Sequence, residues 1–249
     1  MKRGLKHNAF TLIELMAAMA VSCVVLLGAS ALLGRALDHY SQTTSRIETS
    51  ESARIGWSQI RADLESARFL QGAVFENPGA DRPQGRLGIF RLIKDASQRE
   101  TQRIADLGAV HYYLADQTMN GRVVRCLMRG TRESADTFDA LESDEMESLF
   151  ARREQMDEPV VTGVSSFEVK PKRWSRGWVD WNADDSFSPE AVELRVVIVK
   201  PGIAAQMKTP ADWDGSGRFQ EILGGIRDAA SNPHLEVFSG LFPFGANEE

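Results

Sequence analysis

The sequence predicts an α+β protein in which one long N-terminal helix, part transmembrane and part spine, packs on antiparallel β-sheet. Three observations predict it. An apolar run interrupted only by Glu14 extends from Phe10 to Gly34. No proline lies between Arg35 and Leu70, so a helix can continue through that segment. Farther on, short runs alternate apolar and polar residues with the period of a strand, and two of them bracket an Asn-Gly turn signal.

Taken in order, the chain opens on a basic leader carrying Lys2, Arg3, Lys6 and His7, and Arg35 closes the apolar run on the far side. As a helix rising about 1.5 Å per residue, Phe10 to Gly34 reaches roughly 37 Å. A bilayer core is about 30 Å thick, so one tilted crossing fits. The Lys/Arg excess keeps the N-terminal end cytoplasmic and places the chain beyond Arg35 on the other side. Within this run Glu14 stands out, because a carboxylate in hydrocarbon is costly and such residues mark function. Ala29-Ser30-Ala31 offers the small-x-small site of an ordinary secretory signal. The apolar core of such signals is only about 7–15 residues, and neither a discarded signal nor a plain anchor has a use for Glu14.

Beyond the membrane, Ser41 to Ser52 is mostly polar, with Ile47 as its main apolar residue. Apolar residues then return at helical spacing at Trp57, Ile60, Leu64 and Ala67, with Leu70 beyond, which predicts a face docked on a core. Pro78-Gly79 and Asp81-Arg82-Pro83 mark the turn from helix to sheet. Leu87–Lys94 is a short apolar run, Val110, Tyr112 and Leu114 alternate, and so do Val124, Cys126 and Met128. Asn120-Gly121 between the last two predicts a hairpin. Phe167 and Val169 begin another strand, and Val192 to Val199 reads as a largely buried one. Helices are expected at Glu142–Gln155 and Arg218–Arg227, with a Trp-bearing loop from Trp174 to Pro189.

Composition excludes several classes. The net charge is −6, and −9 without Lys2, Arg3 and Lys6, so nucleic acid is not an expected partner. Cys23 lies in the membrane run and Cys126 far along the chain, so no disulfide is expected. His7, His39, His111 and His234 are scattered, and no Cys/His metal cluster, nucleophile elbow or phosphate loop is present. No cofactor and no catalytic residue is therefore expected. Asp180 and Asp184 have the alternating spacing of a calcium loop, but Asp185 and Ala191 stand where Gly and Glu are needed. Asp212 and Asp214 form a second acidic turn, and in both turns a solvated polar loop competes with a cation site. Trp174, Trp178 and Trp181 either anchor their loop or form a recognition surface.

The sequence Ala9-Phe10-Thr11-Leu12-Ile13-Glu14-Leu15, after a basic leader and before a long apolar helix, resembles the class III signal of type IV prepilins and pseudopilins. The resemblance implies a pilin-like fold divided into a leader at 1–9, a transmembrane helix at 10–34, a periplasmic spine helix at 35–72 and a globular sheet domain at 73–249. It implies cleavage by prepilin peptidase between Ala9 and Phe10, N-methylation of Phe10, and pairing of Glu14 with a neighbouring subunit's terminal amine during assembly. The family usually has Gly where this chain has Ala9. The expected partners are the peptidase, other pilins or pseudopilins and the lipid bilayer. Trp57-Ser58-Gln59-Ile60-Arg61-Ala62-Asp63-Leu64, Tyr113-Leu114 and Leu127-Met128-Arg129 look similar to segments of the J-type minor pseudopilins of type II secretion, as do Val164–Phe167 and Pro189–Leu194. Two classes of function remain: an assembly subunit of a periplasmic filament, from a secretion system or a type IV pilus, or a membrane-anchored periplasmic binding protein or enzyme. Glu14 discriminates between them.

Overall fold

The proline-free stretch becomes the longest element. In the computed structural model, which describes residues 12–70, 72–76, 84–92, 107–182, 188–224 and 226–244, helix α1 runs from Leu12 to Glu65. The chain divides into two compact units, Met1–Ser45 and Arg46–Glu249. In the first, Leu12–Leu37 is a 26-residue helical stretch long and apolar enough to cross a membrane.

The second unit is built from the last turns of α1 and two antiparallel sheets. The first sheet contains β1 (Ala67–Arg68), β2 (Val74–Glu76), β3 (Arg86–Leu92), β4 (Leu107–Met119), β5 (Arg122–Arg132) and β6 (Glu158–Thr162). Its order is β1-β3-β4-β5-β6, with β2 also paired to β3. The second sheet contains β7 (Val164–Trp174), β8 (Trp178–Asp180), β9 (Ala191–Val199) and β10 (Leu235–Pro243), in the order β10-β9-β7-β8. Gly163 joins the sheets at φ 77°, a conformation that favours glycine. Its N–H donates to the Arg125 carbonyl on β5 and its own carbonyl accepts from Val199 on β9, both at 2.8 Å.

The apolar stripe of α1 fills the space between the sheets. Ile60 and Leu64 are fully buried among Leu87, Tyr112 and Leu127 of the first sheet and Phe167, Leu194 and Val196 of the second. Gly56 lets the helix backbone approach β6 closely, since a Cβ there would strike Val161 and the Val160 carbonyl. The helix ends at Glu65 rather than continuing to Leu70. Ala67 is buried as the stripe predicts, but on β1, where it pairs with Arg91. The Ser66 carbonyl accepts from the Leu92 N–H at 3.0 Å, so the chain leaves its helical bonds for the β3 edge.

The hairpin at Asn120-Gly121 forms as expected, with φ 51° and 74° at its two loop residues, and its strands are longer than the alternating cores alone indicate. Strand β9 is buried on both faces. Val192, Leu194, Val196 and Ile198 face the α1 core, while Val197 and Val199 meet a second core with Met207, Trp213, Phe219 and Leu223.

The expected helix at Glu142–Gln155 is a correction. Helices form instead at α2 (Ser134–Ser143) and α3 (Met146–Leu149). Asp144 turns left-handed between them at φ 56°. Past α3, Arg132 donates to the Leu149 carbonyl at 3.2 Å and the Ala151 carbonyl at 3.0 Å, engaging two acceptors at the point where the helix stops. The second core is closed by α4 (Pro201–Ala204), α5 (Pro210–Trp213) and α6 (Gln220–Gly224), with 3-10 turns on both sides of α6 where one helix over Arg218–Arg227 was expected. Pro78-Gly79 and Asp81-Arg82-Pro83 lie outside the described residues.

Candidate functional site

Two sets of residues bear on function, and each belongs to one unit. In the N-terminal unit, Glu14 is in the first turn of α1, where a negative charge meets the positive end of the helix dipole. From Leu12 to Leu37 the side chains are exposed, including Val24, Leu27 and Leu32. Two serines in this stretch satisfy their hydroxyls internally, Ser22 donating to the Ala18 carbonyl and Ser30 to the Leu26 carbonyl, both at 2.8 Å. That is how a hydroxyl is carried through hydrocarbon, where no water is available. Ala9 and Phe10 lie outside the described residues.

In the second unit, Asp63 is the polar member of the buried helical face, only 2% exposed. Arg129 on β5 grips its carboxylate with two parallel bonds, Nε to Oδ2 at 2.8 Å and Nη2 to Oδ1 at 3.1 Å. Arg91 on β3 donates to Oδ1 at 2.7 Å and the Tyr112 hydroxyl on β4 to Oδ2 at 2.5 Å. One helical carboxylate thus holds three adjacent strands. Glu158 on β6 extends the network, accepting from Arg129 at 2.9 Å and from Gln59 at 3.3 Å. Burial opposes the charge on Arg129, but its bonds to Asp63 outweigh that and raise its pKa. Burial and the neighbouring Asp63 push the Tyr112 phenol well up, so it stays a donor. A carboxylate with four donors and a forked guanidinium is a fixed joint between α1 and the sheet.

The match to a known family model lies in the first set. Residues 5–30 match the prokaryotic N-terminal methylation motif. This match falls on the leader and apolar run that resemble a prepilin signal. No curated protein sequence matches it. Among solved structures it is similar to a type IV-like pilin from Thermus thermophilus, at 14% identity and a TM-score of 0.38, over 78% of this chain and 94% of that one. A TM-score that low carries no weight, and the α+β fold stands on the chain's own strand pairing.

The acidic residues of the two candidate cation turns that are described have structural partners. Asp212 closes a capping box with Thr209, and accepts from the Lys208 and Thr209 N–H groups, which lower its pKa. Asp214 accepts from Arg125 at 2.8 Å, and Arg125 also forks onto Asp116. Asp180 accepts from Lys172 at 2.7 Å, and its pKa is lowered by that bond. These carboxylates are thus bound to cations and caps, and Asp184 lies outside the described residues. Trp181 anchors its loop against Phe69 and Phe75, whereas Trp174 and Trp178 are exposed. The Cys126 thiol is buried and pushed up to about 12 by that burial, and both Cys23 and Cys126 are free.

A second buried cluster had no sequence signal beyond scattered residues. Asp157 accepts from Arg132 at 2.9 Å, the Tyr113 hydroxyl at 2.8 Å and the Arg153 N–H at 3.0 Å. His111 stacks on Tyr113 with ring centroids 5.0 Å apart, in the space left by Gly130 on the paired strand. Its Nε2 is 3.5 Å from Asp157, beyond good hydrogen-bond length. Burial and the adjacent Arg132 lower its pKa to about 4, so the ring is neutral.

Proposed function

We propose that the chain is a minor pseudopilin, a non-enzymatic structural subunit at or near the tip of a type II secretion pseudopilus. The observation that carries this is the methylation motif with Glu14 four residues after Phe10. Prepilin peptidase cuts between Ala9 and Phe10 on the cytoplasmic side and the new terminal amine of Phe10 is methylated. Leu12–Leu37 then anchors the subunit as a single pass in the bacterial inner membrane, with the sheet unit in the periplasm. Glu14 pairs with the terminal amine of a neighbouring subunit, an interaction strengthened where water is scarce. The leader and span fall at 1–9 and 10–34, and the spine helix ends at Glu65, short of 72, with the strands of the globular part following from Ala67.

The J-type assignment is supported by the way two of its sequence segments meet. Asp63 of Trp57–Leu64 is the carboxylate gripped by Arg129 of Leu127–Arg129. The same geometry suits a minor pilin of a type IV pilus, which is the second reading. An anchored binding protein or enzyme has no use for Glu14.

Co-expression with prepilin peptidase tests the proposal. The expected mature protein lacks nine residues and begins at methylated Phe10, read by N-terminal mass spectrometry. A start at or beyond Ala31 overturns it in favour of an ordinary secretory signal. Co-purification with type II pseudopilins, as against pilus pilins, separates the two machines.

A further inference from the structure

The β7–β8 hairpin presents a surface that its own fold does not use. Trp174 and Trp178 are directly paired across it, edge to face with ring centroids 5.3 Å apart. They are 59% and 40% exposed, although a third tryptophan three residues on, Trp181, is packed against the body. The loop between them, Ser175-Arg176-Gly177, puts Arg176 at the tip, exposed and with φ 57°. From Lys170 to Val179 the chain carries four cations and no acid, on a protein of net charge −6. Lys172 is engaged by Asp180 and Glu193 and Lys170 lies 3.9 Å from Glu168, while Arg176 is the cation at the hairpin tip.

The complementary surface is on the same chain but on the other sheet. From Glu133 to Glu147 there are seven carboxylates and no cation, and all seven are exposed. Among the described residues none of the seven makes an ion pair. This segment is α2 and α3, whose Ala140 and Leu149 pack with Phe150, just past α3, on Phe90 and Ala109 of the first sheet. Phe138 and Leu141 are half-buried between Asp136, Asp139 and Glu142, so the face offers apolar footing among its charges. The hairpin is at the edge of the second sheet, where β8 pairs only with β7 among the described strands.

We propose that the β7–β8 hairpin docks on the α2–α3 segment of a second copy of this chain, Trp174 and Trp178 seating on Phe138 and Leu141 and Arg176 meeting the carboxylates. The contact joins two different surfaces, so it does not close into a dimer but propagates head to tail. It has the make-up of an interface with aromatic anchors and a charged rim, in which the charges set specificity and register. It does not depend on the pseudopilin reading, since it needs only two copies of the folded sheet unit.

The test uses the full chain in detergent, with three proteins followed by sedimentation at rising concentration. The wild type is expected to associate beyond a dimer, and less so at high salt. W174S/W178S, which removes two anchors, is expected to self-associate about thirty-fold more weakly, as is D139K/E142K on the other face. Mixed one to one, the two variants retain one good hairpin and one good acidic face, and are expected to form a complex that stops at two chains. That complementation also shows that both variants are folded. A wild type that stays monomeric, variants that associate like it, or a mixture that does not pair overturns the proposal. So does Trp-dependent binding to anionic phosphatidylglycerol vesicles without self-association, which assigns the hairpin to a membrane surface.

Discussion

Asp63 and Arg129 are joined by two parallel hydrogen bonds, 2.8 Å and 3.1 Å long, between the buried face of α1 and the middle of β5. With Arg91 and Tyr112 on the same carboxylate, the orientation of the helix on β3, β4 and β5 is set by one side chain. Packing alone leaves a helix free to slide by a turn on an apolar sheet. A carboxylate with four fixed donors has one position.

Removing one partner of this joint is expected to be costly. Asp63→Ala leaves two guanidinium groups facing a buried apolar site, and such losses run to about 3–5 kcal/mol. Urea denaturation of a chain beginning at Arg46 measures it. Asp63→Leu combined with Arg129→Met is expected to recover much of that loss, because a buried pair replaced by packed apolar groups is often neutral. If the double variant is as unstable as the sum of its singles, the joint is not the source of the loss.

Gly56→Ala sets two effects against each other. Helix propensity favours alanine by about 0.8–1.0 kcal/mol. Overpacking typically costs about 1–3 kcal/mol, and here the new Cβ meets the rigid Val160 carbonyl as well as Val161. The backbone contact is expected to win, so the variant melts lower than the wild type. A raised melting temperature, read by circular dichroism, would mean that α1 does not lie against β6.

The neutral His111 gives a pH dependence with a definite sign. Its pKa falls from 6.5 to about 4 on folding, with burial the largest cause. Above pH 6.5 the ring is neutral in both states and no stability is lost. Between pH 6.5 and 4 the unfolded chain takes up a proton that the folded one refuses, so stability falls as pH falls. Near pH 4 the loss approaches about 3 kcal/mol, at about 1.36 kcal/mol per pKa unit. Asp157 has a lowered pKa: burial opposes ionisation, but Arg132 prevails, so it stays ionised in the folded state and adds its own loss of stability only at the bottom of the window, near the ordinary value of 3.8. His111→Phe keeps a ring beside Tyr113 and is expected to flatten the slope of unfolding free energy between pH 6.5 and 4. An unchanged slope would sink the assignment.

Features set by local forces were legible in the sequence. The membrane stretch, the Asn120-Gly121 hairpin and the doubly buried β9 are written in short-range pattern, and Ile60 and Leu64 are at the core positions their spacing predicts. The end of α1 was not legible, because Ala67 continues a helical stripe while its backbone is drawn to β3, a partner distant in sequence. Strands β1, β2, β6, β8 and β10 escaped for the same reason: they are short or mixed in pattern and are defined by the strands they pair with. The stop after α3 involves Arg132, which reaches across from β5 to the Leu149 and Ala151 carbonyls. At the candidate site, Asp63 was visible as part of a segment and Arg129 as part of another, but only the fold brings them together. The Asp157 cluster, with residues at 111, 113, 132 and 157, has no spacing to betray it.

The last prediction concerns Glu14, which stands in the first turn of a helix with no other charge before Arg35. Glu14→Ala removes a carboxylate from hydrocarbon, so insertion is expected to be unchanged or improved. Cleavage after Ala9 is expected to continue, since the proposed junction, Ala9–Phe10, lies four residues before the change. Assembly is expected to fail, because an amine brought into the membrane by a neighbour then finds neither a carboxylate nor water, and an unpaired charge there is costly. Co-purification with partner subunits reads assembly, and the N-terminal mass of the same sample reads processing. Processing without assembly is the expected pair of results. A variant that is processed and also enters the complex at wild-type levels removes Glu14 from the interface, and with it the main distinction between a filament subunit and a simple anchored domain.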